Sequence, residues 1–413
     1  MDTKEIVNKI ENKQPLGKNL IDNLIKSYCD NKISDDEILP IIKAIYDNDI
    51  SDQDLFYLTD AMKNSGHTLN LQELGQVVDK HSTGGVSDTT TIILVPICAV
   101  LGTKMLKLSG RGLGFTGGTC DKLEAFSGYK TDIDLNDAIS LVKENGGCMM
   151  TSSLEIAPAD KKIYSLRNKT GLVDNVSLIA SSIMSKKLAS GADIIVLDVK
   201  YGNGAFMPNL KMAKKLGKKM QRIGELAGKK IKIVYGKMSQ PLGYNIGPKL
   251  ETMEAIKVLD GKEKGNLYKD SVRLASLCVA LDKHIPYLIA KHRVIKTIKN
   301  KSALEKLKIM VKAQGGSLEL FDEEYATPTL IVKSNLNGKV VSYNTKDLGE
   351  IVCEMGTNAR NSNDKIDYNL GVITIKKIGE KVKINDEIFK IYAKDLSQAK
   401  DVEQKLLNTI SIK

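Results

Sequence analysis

The chain has 413 residues, 42% hydrophobic and 27% charged, a balance that predicts a water-soluble globular protein with core enough for two or three domains. Its net charge of +11 comes mostly from lysines spread along the whole chain, not clustered with aromatics as in a nucleic-acid binder, so a lysine bias is preferred over a nucleic-acid partner. The polar start Met-Asp-Thr-Lys-Glu and a longest apolar run of about a dozen residues predict neither a secretion signal nor a membrane span, and Cys29, Cys98, Cys120, Cys148, Cys278 and Cys353 lack metal spacing and read as free thiols in a reducing cytoplasm.

Residues 4–66 carry helical patterning only. Leu20, Ile21, Leu24, Ile25 and Tyr28 recur at helical spacing, as do Ile38, Leu39, Ile42, Ile45 and Tyr46. Ser51-Asp52-Gln53-Asp54 predicts the cap of a further helix that ends near Ser65-Gly66. Residues 67–75 read as a linker, and Val77-Val78 as a strand that delivers Lys80.

Next come two hydroxyl-rich glycine turns, HSTGG at 81–85 and FTGGT at 115–119. Ser87 and Asp88 are predicted caps for a helix from Thr91 that is apolar nearly all round. Leu106 to Leu108 reads as a strand delivering Ser109, and Thr119 as the cap of a helix running through Asp121 and Glu124. A glycine turn feeding a helix leaves backbone N–H groups directed outward, which is an anion site. Ser82, Thr83, Thr91, Ser109, Thr116 and Thr119 add hydroxyls, and Lys80 and Lys107 add charge. Neither turn is a P-loop, and the plain alternative is two ordinary capped turns.

Ile163, Leu166, Val173, Val176 and Leu178 to Leu188 carry helical patterning. Ile194 to Val199 reads as a central parallel strand, 209–227 as a basic amphipathic helix and Ile231 to Val234 as the next strand. Gln240 to Gly247 is predicted as a loop. From about 331, short alternating strands indicate a C-terminal α+β piece. The predicted fold class is therefore α/β: a small all-helical lobe, a large α/β lobe with a central mixed or parallel sheet, and a C-terminal α+β subdomain.

The run DKHSTGGV, followed by SGRGL, TGGT and DKLE, resembles the thymidine and pyrimidine-nucleoside phosphorylase family. The version Gly84-Gly85-Val86-Ser87-Asp88-Thr89-Thr90-Thr91 is more similar to its bacterial pyrimidine-nucleoside branch. The resemblance spans about residues 1–395 and is weakest at 295–330. It implies a helical lobe of 1–66 and 155–190 that binds the base and makes a homodimer contact. It implies an α/β lobe of 73–150 and 192–330 that binds phosphate, and a C-terminal piece of 331–413.

The reaction implied is phosphorolysis: phosphate attacks C1′ of a pyrimidine nucleoside, and the base leaves as a pentose 1-phosphate forms. Phosphate then falls to Lys80, His81, Ser82, Thr91, Lys107, Leu108, Ser109 and Thr119. Charge developing on the base falls to Arg167 and Lys186, with Ser182 bonding the ring and Tyr164 and Phe206 flanking it. Ser182 and Lys186 lie one turn apart on a helix face, so they can reach one ligand. His81 either donates to O2 of the base as general acid or orients it. A monovalent cation such as K+ is implied at Ser87, Thr89, Leu242, Asn245 and Glu254. Lobe closure about 67–75, 150–155 and 190–192 is implied as the step that joins the two substrates.

The chain departs from the family pattern at Ser87 for glycine, Phe115 for histidine, Thr151-Ser152-Ser153 for Gly-Gln-Thr, Asn168 for Asp and Pro248 for Asn. Rival readings are a thymidine- and deoxyuridine-restricted enzyme, a nucleoside-binding paralogue without turnover, and an anthranilate-type phosphoribosyltransferase. The last would need a GTGGD-like turn, which HSTGG is not.

Overall fold

The computed structural model describes residues 2–112, 114–151, 156–358 and 365–413. It opens with α1 (Thr3–Glu11), α2 (Lys18–Cys29), α3 (Asp35–Asn48) and α4 (Asp52–Lys63). Local chemistry sets their starts. Asp2 accepts from the Lys4 and Glu5 amides, Ser34 and Glu37 form a reciprocal capping box, and Ser51 accepts from Asp54 N.

The chain continues through β1 (Val78–Ser82), α5 (Thr90–Val100), β2 (Met105–Ser109), α6 (Thr119–Leu123), α7 (Leu135–Asn145) and β3 (Gly147–Thr151). Helices α8 (Pro158–Thr170) and α9 (Val176–Ala189) precede β4 (Ile194–Tyr201), α10 (Leu210–Leu226), β5 (Lys230–Lys237) and the short β6 (Asn245–Ile246). Four helices follow: α11 (Pro248–Leu259), α12 (Asn266–Lys283), α13 (Tyr287–Lys299) and α14 (Ser302–Ala313). The chain finishes with β7 (Leu330–Lys333), β8 (Gly338–Tyr343), α15 (Thr345–Val352), β9 (Gly371–Thr374), β10 (Lys381–Val382), β11 (Glu387–Tyr392), α16 (Leu396–Leu407) and β12 (Ile410–Ile412).

Strands β1, β4 and β5 form a sheet in the order β1-β4-β5, and β2 pairs with β3 in parallel from Met105↔Gly147 to Ser109↔Thr151. The C-terminal strands make two further sheets, β10-β8-β12 and β6-β9-β11-β7, whose pairings are antiparallel. The segment 240–247, predicted as loop throughout, thus contains β6, which pairs with β9 at Asn245↔Ile373 and Ile246↔Val372. Two residues are too few to show a period in sequence. Strand β3 was likewise not legible: Gly-Cys-Met-Met-Thr lacks the β-branched run that marked β4.

The chain divides into two compact units. The first takes 1–81, 152–197 and 211–234; the second takes 82–151, 198–210 and 235–413. In the first, Ile6, Ile21, Tyr28, Ile38, Ile42 and Leu58 of the N-terminal helices share a core with Ile163, Leu166 and Leu178 of α8 and α9. In the second, α5 is buried from Thr90 to Ala99 on every face, as its unbroken apolar sequence requires. The C-terminal core gathers Val332, Val340, Tyr343, Leu348, Val372, Phe389 and Leu406. All six cysteines are free thiols. Among the described residues, no helix is long and apolar enough to cross a membrane.

Candidate active site

The sequence-designated residues fall into two sets, one in each unit. In the second unit, the first glycine turn is held by its own hydroxyls. Ser82 Oγ donates to Asp88 Oδ2 at 2.6 Å and accepts from Gly84 N at 3.2 Å. The other Asp88 oxygen accepts from Thr90 N at 3.3 Å and Thr90 Oγ1 at 2.7 Å. The cap of α5 is Thr89, one residue beyond the predicted Ser87 and Asp88; Asp88 instead receives the first helical amide. Ser87 adopts φ +61°, which explains why glycine suits that position.

Thr83 is bonded on both sides of its backbone turn. Its amide donates to Asp198 O at 3.0 Å, and its Oγ1 accepts from Lys200 N at 2.8 Å. Lys200 is fully buried, with Asp198 and Asp270 each at 2.8 Å. Burial alone would lower its pKa, but Asp198, Asp88 and Asp270 outweigh that and raise it, so the buried lysine stays cationic.

Thr91 lies at the buried start of α5. On β2, Lys107 Nζ donates to Leu108 O at 2.7 Å. Ser109 Oγ is buried and has no hydrogen-bond partner among the described residues, so its hydroxyl is open to a ligand.

Asp121 organises the second turn. Its Oδ2 accepts from Gly112 N at 2.7 Å and Gly118 N at 3.3 Å, and its Oδ1 pairs with Arg111 at 3.0 Å. Arg111 also forks onto Glu124, with Nη2 at 2.7 Å from Oε1. A side chain at Gly118 would run into the Arg111 backbone. Gly118, not the predicted Thr119, is the cap of α6; Thr119 is its first helical residue. Part of the outward amide array expected of these turns is therefore spent internally, on Ser82 and Asp121. Leu113, within this stretch, lies outside the described residues.

Behind the turns sits a buried ion pair. Lys122 Nζ lies 2.7 Å from Glu251 Oε2 and donates to Asp88 O at 3.0 Å. Thr89 Oγ1 donates to the same Glu251 oxygen at 2.8 Å. One carboxylate on α11 thus ties both turns.

The residues named for a cation share one corner. Leu242 N donates to Val86 O at 3.1 Å, and Gly243 N donates to Ser87 Oγ at 3.1 Å. A Cβ built on Gly243 would meet both Glu254 Oε2, at 2.5 Å, and Ser87 Oγ, at 2.6 Å, so these oxygens converge. Glu254 accepts from the Tyr244 and Asn245 amides, each at 2.8 Å, and burial pushes its carboxyl up to about 7. Lys377 Nζ donates to Pro241 O at 3.0 Å and Gly243 O at 2.5 Å. The Asn245 side-chain Nδ2 donates to Leu250 O and Tyr325 Oη. Ser87 Oγ and Glu254 Oε2 are oxygens of the kind a hard monovalent cation takes, and the Lys377 ammonium stands on two carbonyls beside them. Pro248 is the first residue of α11, where its missing N–H costs nothing.

In the first unit, Lys186 Nζ lies 3.2 Å from Ser182 Oγ, one helical turn away on α9, and also pairs with Asp160 of α8. Arg167 is buried on α8. Its guanidinium donates to Leu172 O at 2.8 Å, Val173 O at 2.9 Å and Leu178 O at 3.3 Å. Those bonds occupy three of its five N–H groups. Burial lowers its pKa, while Asp160 and Tyr164 act to raise it. Asn168, by contrast, is exposed. On β1, Lys80 is buried, and its neighbour Asp79 pairs with Lys187 at 2.9 Å. His81 is half-buried at the end of this unit. Ser152 and Ser153, two of the altered positions, and the 152–155 part of one expected hinge lie outside the described residues.

Sequence reasoning missed Asp160, Asp121, Lys122 and Glu251. Asp160, Tyr164 and Arg167 stand at i, i+4 and i+7, a one-face spacing that could have flagged the first. Glu251 lies 129 positions beyond Lys122, and no local pattern links them.

The family described as "Glycosyl transferase family, a/b domain" matches residues 74–297, and "Pyrimidine nucleoside phosphorylase C-terminal domain" matches 339–413. The chain is 40% identical to a protein named pyrimidine-nucleoside phosphorylase from Staphylococcus haemolyticus, over 99% of this chain and 95% of that one. It is 40% identical to one of that name from Bacillus subtilis, over 94% and 91%, and 38% identical to one from Geobacillus stearothermophilus, over 99% and 95%. Among solved structures, anthranilate phosphoribosyltransferase from Thermus thermophilus aligns with a TM-score of 0.59 at 16% identity, covering 76% of this chain and 99% of that one, a likeness of fold.

Proposed function

Because the chain belongs to the pyrimidine-nucleoside phosphorylase family, we propose that it catalyses the reversible phosphorolysis of uridine, thymidine and deoxyuridine to free base and an α-pentose 1-phosphate. The observation that carries this reading is 40% identity over nearly the whole chain to a relative of that name.

A phosphate oxygen attacks C1′, the C1′–N bond breaks, and its electron pair leaves with the base. Phosphate is assigned to Lys80, His81, Ser82, Thr91, Lys107, the Leu108 backbone, Ser109 and Thr119. The open Ser109 hydroxyl supports this, since a buried oxygen without a partner is stabilised by a ligand. The leaving base is assigned to Arg167, Ser182 and Lys186, whose donors favour the negative charge that develops on the ring. Tyr164 and Phe206 flank the base. His81 supplies or holds the proton at O2.

Ser87, Thr89, Leu242, Asn245 and Glu254 would hold a K+ ion, which would brace the 240s segment against the first turn. A higher melting temperature in K+ than in choline checks this. The helical lobe is proposed to form a homodimer in the cytoplasm, to be read by light scattering.

The test is base release from the three nucleosides by purified protein, with and without phosphate, followed by chromatography. Phosphate-dependent release is expected in all three. Release from thymidine and deoxyuridine alone would narrow the activity, and no release by folded protein would overturn it.

A further inference from the structure

Phe206 is an aromatic side chain left 45% exposed in the second unit, yet its position is tightly specified. It lies within the loop that joins β4 to α10, and that loop is bonded down at several points. Gly204 N donates to Met238 O at 2.8 Å, Val86 N donates to Gly204 O at 3.4 Å, and Asn203 Nδ2 donates to Tyr343 O. Gly204 itself admits no side chain, since a Cβ there would meet Thr345 at 2.5 Å and Met238 O at 2.8 Å. The edge of the ring reaches the first glycine turn: a Cβ on Gly84 would stand 3.9 Å from Phe206 Cε2.

Among the described residues, one other aromatic touches it. Phe115, at the head of the second glycine turn, packs against Phe206 with ring centroids 5.3 Å apart and planes inclined at 40°. Phe115 is only 9% exposed. Its own backbone is closely packed, since a Cβ on Gly349 would lie 2.5 Å from Phe115 O. The buried ring is therefore a support, and the exposed ring is what it supports. A phenyl group half in water, held by backbone bonds and a second ring, is ready to receive a flat apolar surface.

We propose that Phe115 is a positioning residue for nucleoside specificity. It sets the tilt of Phe206, so that the exposed face of Phe206 is presented beside the HSTGG turn to the planar pyrimidine ring. This deepens the phosphorolysis reading and rests on it. The pair makes its contact through aromatic faces alone, with no hydrogen-bonding atom on either side chain. Its contribution therefore goes to the base and not to phosphate. Phe115 touches Phe206, and Phe206 is the residue assigned to the substrate.

The experiment measures kcat, the KM for uridine and the KM for phosphate in wild type, Phe115→Leu, Phe115→Tyr, Phe206→Leu and the Phe115→Leu/Phe206→Leu double variant. Melting temperatures are recorded alongside. Aromatic pairs of this kind contribute enough to shift the uridine KM of Phe115→Leu upward by about two- to tenfold, with the phosphate KM unchanged. Phe115→Tyr, which keeps the ring, restores the wild-type value. In the Phe206→Leu background, Phe115→Leu adds nothing.

A uridine KM unmoved in Phe115→Leu overturns the proposal. So does a rise in both KM values together, or full additivity in the double variant. Wild-type protein that releases no base overturns the phosphorolysis reading instead, so the two failures are distinct.

Discussion

Glu251 and Lys122, 2.7 Å apart and both almost wholly buried, join the two glycine turns through a single ion pair. The lysine also holds the Asp88 carbonyl, and the glutamate holds the Thr89 hydroxyl. Two charges taken out of water repay their desolvation only when such extra bonds are made. Here the pair specifies where the turns stand relative to one another.

Breaking it from one side should be costly. Lys122→Met leaves the Glu251 carboxylate buried without its cation, and roughly 3–5 kcal/mol of stability should be lost in urea denaturation. Lys122→Met combined with Glu251→Gln should recover part of that loss. A single-variant cost under about 1 kcal/mol would mean that the turns are positioned by something else.

Ser109 offers the opposite case. Its hydroxyl makes no hydrogen bond among the described residues, so Ser109→Ala should change stability by less than about 0.5 kcal/mol. A hydrogen bond to a charged ligand is worth more, so the phosphate KM should rise roughly tenfold or more. Steady-state kinetics with varied phosphate, next to a melting curve, separate the two. An unchanged phosphate KM would remove Ser109 from the phosphate set.

The second turn depends on Gly118 for space. Any Cβ there meets the Arg111 backbone, which has no flexible end to swing aside. Gly118→Ala should therefore displace the turn, with a stability cost of roughly 1–3 kcal/mol. A weaker grip on phosphate should accompany it. Wild-type kinetics in that variant would show that the turn is dispensable.

Glu124 gives the second turn an acid limit. Burial alone would raise its pKa, but the Arg111 and Thr131 hydrogen bonds win, and its folded pKa lies below the ordinary 4.5. A carboxyl lowered on folding adds stability that is present above about pH 4.5 and is lost as pH falls through the folded value. Denaturation midpoints from pH 7 to pH 3 should fall more steeply for wild type than for Glu124→Gln. Parallel curves would deny the Arg111–Glu124 contact this role.

Much of the scaffold was legible because its signals are local. The unbroken apolar run of α5, the Ile-Ile-Val-Leu of β4 and the Ser51 cap each announce their own geometry within a few residues. The pairing of Ser182 with Lys186 was legible for the same reason, being one helical turn. What stayed hidden depends on partners far along the chain. β6 exists only because β9 accepts it, and Glu251 matters only because Lys122 reaches it. The cap shifts at Thr89 and Gly118 are of another kind. Asp88 and Thr119 look like caps, but Asp88 takes the first amide of α5 from one residue outside the cap, and Gly118, bonded by Asp121, caps α6.

The first unit is assembled from three separated stretches, the last of which closes at residue 234. During synthesis, its N-terminal helices leave the ribosome long before α8 and α9 exist to cover them. At roughly 5–20 residues per second, that wait lasts on the order of ten seconds or more. Apolar side chains such as Ile21, Ile38 and Leu58 stay without part of their final packing throughout. Nascent chains halted before residue 234 should therefore bind holdase chaperones and resist native closure, and the yield of this protein in a cell should depend on how well that interval is guarded.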